Sequence, residues 1–135
     1  MDDVCVAVAR FISGVATANE TLAVFGADLR SRPDVEDVKR GMDIRAYNSG
    51  TVVEMYVDAQ RRDGIGQVWW LDILQETERW VIEARVTMTG AVGQESVLEF
   101  DTRTAIGADD LVRELQRAIS DLISYKDLPV MRSPD

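Results

Sequence analysis

Across residues 79–89 apolar and polar positions alternate. Trp80, Ile82, Ala84, Val86 and Met88 point one way, and Arg79, Val81, Glu83, Arg85 and Thr87 the other. A period of two marks a strand with one buried face. Residues 95–102 repeat it, with Ser96, Leu98 and Phe100 on the apolar side and Glu95, Val97, Glu99 and Asp101 opposite. In 67–76, Trp69, Leu71 and Ile73 form one apolar face while Val68, Trp70, Asp72 and Leu74 form a second, mixed one, so this strand is expected to be central. Residues 43–47 and 51–59 supply two more strands, joined through Asn48-Ser49-Gly50, a composition suited to a tight hairpin. Turns follow at 60–65 and 89–94.

A different period governs the two ends. From Val4 the apolar residues fall at Val8, Phe11, Val15, Ala18, Leu22 and Phe25, alternately four and three apart, which is one stripe along a helix. Asp2 or Asp3 caps its start and Gly26 closes it; Gly14 and Asn19 weaken its middle, with two shorter helices as the alternative. Such a stripe could also seam a coiled coil, but packing on the chain's own sheet is the expected use. Residues 33–41, opening on Pro33 and ending on Gly41, read as a short helix or turn that delivers the chain to the sheet. Residues 108–124 form the closing helix, with Asp109 and Asp110 in its first turn and Leu111, Val112, Leu115, Ala118, Ile119, Leu122 and Ile123 on its apolar face. The tail, 125–135, is a loop that could return across the sheet through Leu128, Val130 and Met131.

The expected fold is therefore α+β in two layers: a five-stranded antiparallel meander over 43–103, with the long N-terminal helix (1–26) and the C-terminal helix packed on one face. The strand connections are too short for parallel crossovers. One domain of 135 residues accommodates all of it.

Face and turn length together set register. Holding every clearly apolar position toward the helices pairs Ala46 with Val53, Met55 with Leu71, Leu71 with Ala84, and Ala84 with Phe100. The opposite face then reads in rows: Arg45, Glu54, Asp72, Glu83, Asp101, and beside it Asp43, Tyr56, Trp70, Arg85, Glu99. Flanking rows hold Asp58, Val68, Thr87 and Val97 on one side, and Tyr47, Val52, Leu74, Val81 and Arg103 on the other. Carboxylates directly opposed across strands lie about 5 Å apart and repel, so something must offset the cost. Arg45 and Arg85 do so in part, and Trp70 can stack on Arg85.

Composition narrows the chemistry. Fifteen Lys plus Arg against 24 Asp plus Glu give a net charge of −9, which disfavours nucleic acid and anionic lipid and favours basic partners. There is no His, so no Ser-His-Asp or Cys-His arrangement exists, and Cys5, the lone cysteine, reads as a small core residue. Thr89-Gly90-Ala91-Val92-Gly93-Gln94 leads into a strand, not a helix, and so is no phosphate cradle. Met1-Asp2-Asp3 lacks the positive flank of a secretory signal and no run is long enough to cross a bilayer; a cytoplasmic protein is expected.

The expected function is a non-catalytic, cofactor-free module that binds a basic protein through Glu54, Tyr56, Asp58, Trp70, Asp72, Glu83, Arg85, Glu99 and Asp101, with carboxylates steering encounter and the aromatic rings supplying contact area. Monomer and homodimer are both compatible with the sequence. In size, acidity and α+β build the chain looks like the small cytoplasmic immunity proteins with which bacteria neutralise toxin domains, many of them basic nucleases; the likeness is architectural and implies a basic toxin domain as partner. The alternative is a small-ligand or divalent-cation binder, or an enzyme, using two of Glu54, Asp72, Glu83 and Asp101 as a carboxylate pair; oxygen ligands of that kind suit Mg²⁺ or Ca²⁺. The plainest alternatives are a merely solvated acidic face, or one hidden under the tail or a helix.

Overall fold

A computed structural model of the chain describes residues 3–47, 50–76, 78–90 and 92–125, with side chains for all of these except 3–10 and 47. The order is α1 (Asp3–Arg30), β1 (Val35–Tyr47), β2 (Gly50–Arg61), β3 (Gly66–Gln75), β4 (Trp80–Thr89), β5 (Glu95–Glu99), β6 (Arg103–Ala105) and α2 (Ala108–Ile123). The strands form one antiparallel sheet in the order β1-β2-β3-β4-β5, with β6 also pairing with β4. This is the expected two-layer α+β fold with one short strand added.

The core lies between sheet and helices. Val53, Met55, Val57 and Ala59 of β2, Trp69, Leu71 and Ile73 of β3, and Ile82, Ala84 and Val86 of β4 are all buried, as their alternation requires. They meet Ala18, Leu22, Phe25 and Leu29 of α1 and Leu111, Leu115, Ala118, Ile119 and Leu122 of α2. α1 packs on β1 and β2, α2 on β3, β4 and β6, and the helices on each other. They cross at Gly14, where a Cβ would come within 3.0 Å of Leu115 Cδ1. Phe11 stacks on Trp80 at 6.5 Å.

Four expectations need correction. First, residues 33–41 are no helix: a turn at 31–34 leads straight into β1, which begins at Val35. Val35 and Val38 are both buried although three apart, a helical spacing. A register irregularity between Val35 and Asp37 supplies the extra residue, so both reach the core face of a strand. Second, α1 is one helix that passes Gly14, Asn19 and Gly26 and ends at Arg30, because buried Leu29 continues the stripe. Third, β1 and β2 pair with Tyr47 opposite Gly50 and Ile44 opposite Val53, two residues away from the expected pairing of Ala46 with Val53. The faces survive, since a shift of two leaves every side chain on its side.

The fourth concerns the far edge. β5 is exposed throughout, so Leu98 gains little cover from the helices. After Glu99 the chain leaves the ladder, held by Phe100 N–H donating to the Ala84 carbonyl, and returns as β6 with Arg103 opposite Ile82. That register is one residue out of step with β5 and turns Arg103 to the helix side, where it bonds Asp121 at 2.7 Å and Glu114 at 3.4 Å. The expectations for the N-terminal cap, Val4, Cys5 and Val8 fall on side chains outside the described ones, as do Asn48, Ser49 and the tail residues Leu128, Val130 and Met131.

Candidate functional site

Both helices pack on one side of the sheet, so the even-numbered side chains of β2 and β3 and the odd-numbered ones of β4 lie on the other. The pairings Met55 with Leu71 and Leu71 with Ala84 are as expected, so the central rows of that face hold. One row runs Asp43, Glu54, Asp72, Glu83. The next runs Gly41, Tyr56, Trp70, Arg85, Glu99, and beyond it lie Lys39, Asp58, Val68, Thr87 and Val97. On the other side of the acidic row, Arg45, Val52, Leu74, Val81 and Thr104 make a largely apolar row.

Eight of the nine expected residues, Glu54, Tyr56, Asp58, Trp70, Asp72, Glu83, Arg85 and Glu99, thus stand together. Asp101 lies past the end of β5, exposed and outside the ladder. Asp43 takes its place as the fourth carboxylate, and Arg45 moves one row away. The signal for Asp43 was in the hairpin: a two-residue loop, the most favoured length, puts Asp43 opposite Glu54, whereas the longer turn puts Arg45 there.

Arg85 is the hub. Its Nη1 donates to Asp72 Oδ2 at 2.7 Å, its Nη2 lies 3.9 Å from Glu54 Oε2, and its guanidinium sits 4.8 Å from the centre of the Trp70 ring. Trp70 is fixed in turn by donating Nε1–H to Thr87 Oγ1 at 3.0 Å and by contact with Tyr56, ring centres 5.5 Å apart. Tyr56 lies across Gly41, where a Cβ would fall 2.3 Å from its ring; only glycine admits the ring there. Sequence therefore seats the aromatic pair through a residue with no side chain. Tyr56 and Trp70 are half-buried, Glu83 and Glu99 exposed, and Asp72 is 8% exposed. The second carboxylate oxygen of Asp72 finds no hydrogen-bond partner among the described residues.

The charges do not balance locally. Burial, and after it the charge of Asp72, hold the Glu54 carboxyl above its ordinary range; Arg45 and Arg85 pull it back only in part. A carboxyl with a raised folded-state pKa binds its proton more readily in the native chain than in the unfolded one. Stability then falls as pH rises through the window above 4.5 and is regained as pH drops below it. Glu54→Gln is accordingly expected to melt above the native protein at pH 7, with the gap closing at pH 4; thermal unfolding at the two pH values checks it.

Beside this cluster, where the chain leaves β5, Glu83, Arg85, Glu99, Phe100 and Thr102 line a recess of about 320 Å³. Among the described residues no three Asp, Glu or Cys side chains converge as metal ligands, and no helix is long and apolar enough to cross a membrane. No family model, curated protein or solved structure matches the chain.

Proposed function

We propose that this protein is a non-catalytic binding module whose open sheet face receives a basic protein surface, and that the partner is a basic toxin domain held inactive in the cytoplasm, in the manner of an immunity protein. The observation that carries this reading is the Tyr56–Trp70 pair, half-exposed and packed together, bordered by Asp43, Glu54, Asp72, Glu83 and Glu99. Aromatic rings held in place give a partner contact area at little entropic cost, and carboxylates in excess of cations select Arg and Lys. Arg85 offsets part of the charge from within the cluster and leaves exposed Glu83 and Glu99 to face outward.

One observation favours a second reading, the raised pKa of Glu54 opposite Asp72, as in a working carboxylate pair. The Arg85 guanidinium, set against both carboxylates, weighs against a cation there. A rise in melting temperature with millimolar Mg²⁺ or Ca²⁺ would favour that second reading.

The binding reading is tested by affinity capture at low and high salt with wild-type bait beside a Glu83→Lys, Glu99→Lys variant. These two are exposed and reversible without burying charge, unlike Asp72. A basic partner is expected on the wild type, released by salt and bound about tenfold more weakly by the variant. An acidic partner, or one retained equally by the variant, would place binding elsewhere.

A further inference from the structure

β1 is an edge. Twelve of its thirteen residues, all but Glu36 at the irregularity, pair with β2 on one side, and among the described residues no strand lies on the other. Its core-side residues outrun the helix layer: Met42 and Ile44 are 46% and 58% exposed, beside Ile12 of α1 at 62%. With Phe11, Val15 and Val53 they line an apolar groove of about 350 Å³. A long edge of this kind invites a further strand unless it is guarded; here Arg30 Nη2 donates to the Val38 carbonyl, a bond that a strand added at Val38 must exchange or share, and along the rest the guard is a pattern of charge.

The pattern is its own complement. On the open face β1 presents Asp37, Lys39, Gly41, Asp43 and Arg45, all exposed except Gly41, which is half-buried. Signs on either side of Gly41 are opposite at equal distance. If a second copy of β1 pairs antiparallel with Gly41 facing Gly41, then Lys39 faces Asp43 of the second copy and Asp37 faces its Arg45, each twice by symmetry. On the helix side Ile44 faces Val38 and Met42 faces Arg40.

Neighbouring registers that keep the faces fail. A shift of two residues one way sets Asp37 against Asp43, the other way Lys39 against Arg45; larger shifts bring Asp43 onto Asp43 or Lys39 onto Lys39. Like charges directly opposed destabilise a strand pair and opposite ones stabilise it, so one register stands out. Gly41 suits the symmetry axis, because it brings no side chain of its own and is covered by the Tyr56 ring of the same chain. The present bond of Arg45 to Asp43, 2.9 Å, is exposed on both sides and thus easily exchanged.

We propose that β1 pairs with β1 of a second copy of this chain, Gly41 on the two-fold axis, making one continuous sheet. Antiparallel pairing of this parity keeps odd-numbered β1 side chains on a common face. The two acidic, aromatic faces then lie on the same side and present two equivalent sites.

Sedimentation equilibrium at low ionic strength over a range of micromolar concentrations tests it, with folding checked by circular dichroism. The native chain is expected at twice its monomer mass. Lys39→Glu and Asp43→Lys each set like charges face to face and are expected as monomers, with dissociation constants raised at least about tenfold. Mixed together, the two variants are expected to form a heterodimer, because each contact between positions 39 and 43 then joins one acid and one base. For the same reason the Lys39→Glu, Asp43→Lys double variant is expected to dimerise alone. A native chain that is monomeric throughout overturns the proposal. So do single variants that dimerise as the native chain does, or a folded double variant that stays monomeric.

Discussion

Replacing Trp69 with alanine is expected to remove about 3–5 kcal/mol of stability, the cost of a large cavity in a core that cannot collapse around it. Trp69 is wholly buried on the central strand β3, and Phe25 of α1 meets its ring edge-on at 5.0 Å. In its row Val57 and Val86 stand on either side, themselves buried. Each of those neighbours is held by a ladder, so none can move in to fill the space. Set against a total of about 5–15 kcal/mol for an ordinary domain, the loss brings the variant near unfolding. Trp69→Phe should lose far less, since the indole N–H finds no acceptor among the described residues and only volume is at stake. Trp70→Ala, one residue on but half-exposed on the opposite face, is expected to cost clearly less than Trp69→Ala. Urea unfolding of the three variants gives the comparison through their midpoints. Equal losses at 69 and 70 would contradict the face assignment.

Arg85→Ala is the second large effect, about 2–4 kcal/mol at pH 7. The substitution strips the cation from Asp72, which is nearly buried, while leaving Glu54 opposite it. Two carboxylates in adjacent strands then repel in partly desolvated surroundings, and Trp70 loses the guanidinium on its face. The effect has a sign in pH. Without Arg85 the Glu54 carboxyl, already held above its ordinary range by burial and the charge of Asp72, loses one of the two cations that pull it back, so the variant recovers stability as pH falls. The loss at pH 7 should therefore exceed the loss at pH 4.5, read from melting curves of variant and native protein. A loss independent of pH would mean that Arg85 acts by packing on Trp70 and not by charge.

Much of this arrangement was legible because strand alternation is a local property. Trp80, Ile82, Ala84 and Val86 announce one face of β4, and short turns pin β2, β3 and β4 to one another, so the row of Tyr56, Trp70 and Arg85 follows from sequence. β1 was hidden by its own irregularity: the bulge between Val35 and Asp37 spaces two core residues as a helix would, after a proline that also suits a helix start. Arg103 was misplaced because leaving and rejoining a ladder, at Phe100 to Thr102, changes register by one without any mark in the residues between. The hydrogen bond of Arg85 to Asp72 is of a third kind. It depends on side chains from β2, β3 and β4 crowding one another, which no single segment encodes.

Whether the face bearing Tyr56, Trp70 and Arg85 meets a basic partner, as proposed, can be read directly from the three tryptophans. Only Trp70 has its ring on that face; Trp69 and Trp80 are buried in the core. Their indole N–H resonances, assigned by Trp→Phe substitution, can be followed in ¹⁵N-labelled protein while an arginine-rich peptide is added at low salt. A saturable shift of the Trp70 signal that salt reverses is expected, with those of Trp69 and Trp80 unmoved. A Trp70 signal that stays in place through the titration would contradict it.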